Sequence, residues 1–232
     1  MPDFVRNKPA PEDHLPDSVK ALRPDRAFLF SVLSREAAAH CLKLRALLPY
    51  SGLVSDPTYR PLGDPSFHAK RFNTPAPGGR LGSVADRLSF TYTPRNAVVY
   101  GSCGPTPPPG AHRFTADNLV IAALPLKRLL ESGMSAVYCD RQPVRSDVEA
   151  TDAPRLDRIP WDCIRDSRFG AKASPDEHLH YHAEVLVEGP MPVTMLTWAV
   201  PTEASAAVLA AQAKACGLDH LMIVVEQSFF FK

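Results

Sequence analysis

Residues 119–139 set the architecture: Leu119-Val120-Ile121-Ala122-Ala123-Leu124, then Pro125, then Gly133, then Ala136-Val137-Tyr138-Cys139. The first six are apolar without alternation, which reads as a strand buried on both faces. Pro125 stands where a helix tolerates its first proline and Gly133 where a helix ends. Ala136–Cys139 is then the next strand. Working toward the N-terminus, Ala27–Leu33 is another apolar run of strand length. Ser34 follows as an N-cap, and Ala38, Cys41, Leu42, Leu44 and Leu48 recur at helical spacing over 35–48. From Leu88 the period changes to two, so Leu88–Thr93 and Ala97–Tyr100 read as strands separated by Pro94-Arg95-Asn96. Toward the C-terminus, Ala183–Val187 reads as a strand, and Thr202 caps an alanine-rich helix to Cys216 with Gly217 as its stop. Leu221–Val225 and Phe229–Phe231 read as closing strands. Residues 49–65, 74–79 and 101–112, dense in Pro and Gly, are loops around a helical turn at Phe67–Phe72. Residues 140–180 are polar and irregular apart from a turn at Pro160–Ile164. Strands and helices neither alternate strictly nor segregate, which makes the fold class α+β.

The 232 residues, at about 150 per domain, point to one decorated domain, read as a flexible tail over 1–25 and a domain over 26–232. The tail is polar and proline-rich, without the apolar core of a secretory signal. No apolar run is long enough to span a bilayer. Five cysteines, scattered and without a C-x-x-C pair, fit reduced thiols in the cytoplasm rather than a disulfide frame or a zinc site. Cys103 and Cys139 have no His–acid pair near them in sequence and read as structural. A net charge of +1 argues against a nucleic-acid coat protein while allowing a local basic groove.

Phosphate-loop, dinucleotide G-x-G-x-x-G, H-E-x-x-H and G-x-S-x-G motifs are all absent. What remains is a carboxylate in odd company. Glu184 lies between Ala183 and Val185-Leu186-Val187, inside a strand of buried character. An ionised carboxylate there costs several kcal/mol, of the order of a lost buried polar contact or more, unless it is paired or used. The alternative is a strand face open to water.

The residues around it are recognisable. Pro160-Trp161-Asp162-Cys163-Ile164, a polar loop, His182–Val187 and Pro190-Met191-Pro192 resemble the DNA ADP-ribosyltransferase toxin family, DarT. Phe90–Tyr100 is similar to that family's aromatic strand, Pro-Arg turn and short apolar segment ending in Tyr. Pro77-Gly78-Gly79, Cys139-Asp140-Arg141 and Phe229-Phe230-Phe231 match further segments, in order, over about 27–232. The resemblance implies an ADP-ribosyltransferase-like split β-sandwich with flanking helices, NAD as co-substrate, and transfer of ADP-ribose to a base in single-stranded DNA. It also implies a toxin with a partner antitoxin. Glu184 takes the place of the catalytic glutamate, and Phe67-His68-Ala69-Lys70-Arg71 matches the turn ending in the catalytic arginine. By the same resemblance Ser31, Arg71, Phe90 and Tyr92 face NAD, and Arg95, Tyr100, Arg141 and His182 face the acceptor. Trp161 is expected to anchor the loop.

The chemistry asks for these residue types. Breaking the bond between ribose and nicotinamide builds an oxocarbenium-like centre, which a carboxylate stabilises and whose incoming nucleophile it can deprotonate. A diphosphate asks for a fixed planar cation. The chain departs from the family at four places. Ser31 and Leu33 stand for a His and a Thr, Ala97-Val98-Val99 lacks a Met, and Gln142 replaces a His. His178-Leu179-His180-Tyr181-His182 replaces basic residues, while Arg165, Arg168 and Lys172 remain in the preceding loop. On a strand, His178, His180, His182 and Glu184 would share one face, but side chains about 7 Å apart converge poorly on one ion, so no metal is expected. Imidazoles there are instead expected to stack on a base or contact phosphate below pH 7. The alternatives are transfer to a nucleoside, small metabolite or protein, and a non-catalytic binding protein of the same fold.

Overall fold

The computed structural model describes residues 27–56, 59–104, 108–161, 164 and 174–230. The tail, Asp162, Cys163, Arg165, Arg168, Lys172 and Phe231 lie outside the described residues. Among the described residues ten strands are formed: β1 (Phe28–Ser34), β2 (Ala46–Leu47), β3 (Arg87–Thr91), β4 (Leu119–Pro125) and β5 (Ala136–Cys139), then β6 (Ala150–Thr151), β7 (Glu184–Glu188), β8 (Met191–Pro192), β9 (Thr197–Val200) and β10 (Ile223–Val225). The helices are α1 (Arg35–Leu44), α2 (Tyr50–Leu53), α3 (Pro65–Asn73), α4 (Ala97–Cys103), α5 (Leu126–Glu131), α6 (Pro175–His180) and α7 (Glu203–Ala215). Eight strands form one sheet in the order β10-β9-β4-β1-β3-β7-β5-β6, and β2 pairs with β8 apart from it. Only β9 and β10, joined through α7, run parallel. The fold is α+β.

The sheet is split in the middle. β1 and β4 are paired along their whole length, from Phe28↔Pro125 to Ser34↔Leu119. On its other edge β1 meets β3 at a single pair, Phe30↔Thr91. β3 then continues in full register with β7, from Arg87↔Glu188 to Thr91↔Glu184. Two well-paired half-sheets therefore join at one point, and the strands part beside it.

Burial explains why β4 carries no alternation. Val120, Ala122 and Leu124 face a core shared with α1, α5 and α7. Leu119, Ile121 and Ala123 face a second core with Phe30, Val99, Phe229 and Phe230. α1 starts where Ser34 Oγ accepts from the Ala37 N–H at 3.1 Å. It ends sooner than its apolar spacing suggests, because Arg45 turns into the left-handed region (φ 57°) and Ala46–Leu47 pairs with β8.

Two elements differ from expectation. Ala97–Tyr100 is not a strand but the start of α4. The Asn96 side chain accepts from the Val98 and Val99 N–H groups, and this cap outweighs the β-branched pair. Phe229 and Phe230 belong to a 3₁₀ turn rather than a strand. Glu226 caps it by accepting from the Ser228 N–H, and the turn buries both rings on one side, Phe229 edge-on to Phe30 at 5.3 Å. α2 also lies inside the expected 49–65 loop, and α6 inside the irregular 140–180 stretch. Among the described residues no helix is long and apolar enough to cross a membrane.

Candidate active site

A cavity of about 630 Å³ opens where the half-sheets part. That falls within the range of roughly 300–1,000 Å³ usual for small-molecule sites. Its floor is the β1 edge at Phe30–Leu33 together with Ser89 and Thr91 of β3 and Glu184 of β7. Tyr50 of α2 and Phe67, His68 and Arg71 of α3 roof it, and Tyr100 of α4 closes one side.

α3 aims its cationic group by simple geometry. Asp64 caps it through the Ser66 N–H at 2.8 Å, and Pro65 occupies the first turn. Phe67, His68 and Arg71 then fall at i, i+1 and i+4 on one face. Arg71 is 7% exposed, its guanidinium 5.8 Å from the Phe67 ring centroid. His68 stacks on Tyr50 with centroids 4.4 Å apart and planes 11° apart. The His68 ring contacts the Leu62 carbonyl through Nε2 at 2.5 Å, and burial holds its pKa below the usual imidazole value.

Glu184 arrives from a helix–turn–strand. Ser174 and Glu177 form a capping box at the start of α6. The His182 and Ala183 N–H groups close the turn onto the Leu179 and His180 carbonyls. Tyr181 is buried, its hydroxyl donating to the Arg95 carbonyl at 2.9 Å. Glu184 is thereby the first residue of β7 and only 6% exposed. Arg71 Nη1 donates to its Oε1 at 3.2 Å and its Oε2 at 3.0 Å, across 113 residues of chain. Ser89 Oγ donates to Oε2 as well. A buried ion pair repays its desolvation only with good geometry, and here it lines the 630 Å³ cavity.

Of the expected site residues, Arg71, Glu184, Ser31, Tyr100 and His182 line this cavity. Phe90 and Tyr92 do not. Both are buried in the core, Tyr92 edge-on to Trp161 at 6.0 Å. The cleft face of β3 instead carries Ser89 and Thr91, because successive residues of a strand point to opposite sides. Arg141 does not line the cleft either, although its neighbour Gln142 does: it donates to Asp140 and Asp147. Arg95 reaches the Phe230 carbonyl at 3.5 Å. Trp161 donates to the Leu156 carbonyl at 3.0 Å and packs against the core, while the loop that it was expected to anchor lies outside the described residues.

His178 and His180 lie on α6, so no four-residue strand face forms. Burial, then the neighbouring His178, pushes the His182 pKa down to about 4, so it is neutral near pH 7 and offers a phosphate no charge. Among the described residues no group of three His, Cys, Asp or Glu side chains is placed to hold a metal. Ser89, Tyr50 and His68 also line the cleft, beyond the residues expected there. The polar positions Arg87, Ser89 and Thr91 of β3 are the signal for Ser89, and the place of His68 in the turn before Arg71 is the signal for His68; nothing local marks Tyr50.

The family model described as ssDNA thymidine ADP-ribosyltransferase, DarT, matches residues 33–231. No curated protein matches the chain. Among solved structures, the chain resembles Thermus sp. 2.9 DarT in complex with ADP-ribosylated ssDNA, at 16% identity and TM-score 0.74, covering 88% of this chain and 96% of that one. It also resembles the same protein in complex with NAD+, at 16% identity and TM-score 0.71, covering 88% and 98%. Thermosipho africanus DarTG in complex with ADP-ribose follows at 14% identity and TM-score 0.68, covering 88% of this chain and 51% of that one. At such identities the likeness carries the fold.

Proposed function

The chain belongs to the DarT family of ssDNA thymidine ADP-ribosyltransferases, and from that premise we propose that it transfers ADP-ribose from NAD to a thymidine base in single-stranded DNA. The observation that carries this reading is the buried Arg71–Glu184 pair on the wall of the 630 Å³ cleft. The cleft fits the co-substrate in kind as well as size. It joins a cation suited to a diphosphate, aromatic rings at Tyr50, Phe67 and Tyr100, and a carboxylate. NAD supplies an ADP-ribosyl group whose ribose carbon becomes cationic as nicotinamide leaves with the bonding electrons. Glu184 stabilises that charge and takes the proton released by the attacking base nitrogen. Arg71 binds the diphosphate. Ser31 holds the ribose end with its hydroxyl, where Leu33 offers only an apolar wall. Tyr100 and His182 lie on the acceptor side, His182 as a neutral ring for stacking.

Two members of the solved group bear on this by their ligands: Thermus sp. 2.9 DarT holds NAD+ in one structure and ADP-ribosylated ssDNA in another. The resemblance to DarTG supports a toxin with an antitoxin partner that removes the mark or blocks the cleft. Cys41, Cys139 and Cys216 are free thiols, which fits a cytoplasmic protein.

Incubation with labelled NAD and single-stranded oligonucleotides, with and without thymidine, tests the reading. Label is expected on the thymidine-containing strands and lost in Glu184→Gln. Label on a protein or metabolite alone would replace the acceptor, and absence of NAD binding by calorimetry would overturn the enzyme.

A further inference from the structure

Resting on the reading of Glu184 as the reacting carboxylate, we propose that Ser89 is its positioning residue: the serine holds one carboxylate oxygen so that the other stays aimed at substrate when Arg71 turns to the diphosphate. In the β3–β7 ladder Thr91 faces Glu184 and Ser89 faces Leu186. Ser89 is thus the diagonal neighbour of Glu184 on the cleft face, within side-chain reach. Its hydroxyl donates to Oε2.

The other strand neighbours do not do this. The Thr91 hydroxyl donates to the Thr93 carbonyl at 2.8 Å and to the Phe30 carbonyl at 3.3 Å. It also accepts from the Asn96 amide at 3.0 Å, so it is spent on the seam. Cys139, opposite Glu184 on β5, is a buried thiol.

The two oxygens of Glu184 are therefore unequal. Oε2 receives Ser89 and Arg71, and Oε1 receives only the longer Arg71 contact. The two donors also differ in mobility. Arg71 is a long side chain reaching across from a helix, and it cannot neutralise Glu184 and clasp a diphosphate equally well. The Ser89 hydroxyl is two bonds from a backbone paired along its length with β7. Once Arg71 is drawn to NAD, the serine is the donor that remains, and Oε1 is the oxygen that meets the ribose or the base proton.

The test compares Ser89→Ala and Ser89→Thr with the wild type, measuring kcat and KM for NAD on a saturating thymidine oligonucleotide. Ser89→Ala is expected to lower kcat about tenfold, the worth of one hydrogen bond to a charged group. KM for NAD should stay within about twofold and the melting temperature unchanged within a few degrees. Ser89→Thr, which keeps the hydroxyl, is expected to recover most of kcat. An unchanged kcat in Ser89→Ala, or equal losses in both variants with a raised KM, would remove the positioning role while leaving the enzyme intact. A wild type without Glu184-dependent transfer removes both. A melting-temperature cycle with Glu184→Ala, which removes the acceptor, reads the bond without turnover: non-additive losses support it, additive ones overturn it.

Discussion

Glu184 and Asp140 are both carboxylates withdrawn from water, and they sit on opposite outcomes of that withdrawal. Asp140 is bound on both oxygens by separate groups. Its Oδ2 accepts from Arg141 Nε at 3.0 Å and Nη2 at 2.7 Å, and its Oδ1 from the Glu149 N–H at 2.9 Å. Arg158 and His180 stand within 4 Å of it. Burial alone would raise its pKa, but the Arg141 and Glu149 hydrogen bonds outweigh this and hold it below the usual carboxylate value. Arg141 and Arg158 reach on to Asp147 and Glu149, so the group ties the 140–150 segment to β5 and α6. Glu184, by contrast, accepts its three hydrogen bonds from two side chains across the cleft, one Arg71 nitrogen shared over both oxygens and the Ser89 hydroxyl, and a large cavity lies in front of it. A carboxylate bound by the backbone and ringed by three cationic or imidazole side chains holds structure. One held by side chains alone beside open space is available for chemistry.

The contrast predicts opposite phenotypes. Glu184→Gln keeps the shape and is expected to reduce transfer roughly 10⁴-fold, since charge stabilisation and proton acceptance are lost together. It also leaves the buried Arg71 guanidinium without its counter-charge, so the melting temperature should fall and transfer is compared per folded molecule. Near-normal turnover in a labelled-NAD assay would end the distinction. Arg71→Ala is next, expected to destabilise by roughly 3–5 kcal/mol because it strands a buried charge. Denaturant unfolding checks this, and a stability equal to wild type would mean the pair is solvated.

Asp140→Asn should behave the other way round. It is expected to cost about 2 kcal/mol of stability through weakened charge-assisted bonds, while activity per folded molecule is kept. A large loss of kcat with normal stability would place Asp140 in the reaction instead. The smallest effect concerns acid. His182 has its pKa pushed down to about 4 by burial, below the value near 6.5 of an unfolded chain. Between those values the unfolded state binds the extra proton, so stability rises with pH there and is lost as pH falls from about 6.5 toward 4. His182→Gln should flatten that slope by up to about 2 kcal/mol in melts across this range. An unchanged slope would show that His182 is not the titrating group.

Much of this molecule was legible along the chain. The two-sided apolar run of β4, the Ser34 and Thr202 caps and the glycine stop after α7 follow from local rules, and local bonds enforce them. Glu184 was legible as a contradiction, a charge among Val and Leu. Phe90 and Tyr92 misled because aromatic residues in an alternating strand announce burial without saying which face borders a cavity. Here the aromatic face is core, and the small polar face is cleft. Arg141 misled because its neighbours Asp140 and Asp147 claim it. Ala97–Tyr100 misled because a cap from Asn96 outweighs the strand preference of two valines.

Local pattern determined the central strands β1, β4 and β7 and the helices α1 and α7, and that one carboxylate would be stranded in an apolar strand. Packing decided which cation meets it. The partner, Arg71, is 113 residues distant, and the cleft exists because β1 and β3 share a single pair. Secondary structure answers to neighbours within a few residues, whereas an ion pair and a cavity depend on distances that only the closed chain sets.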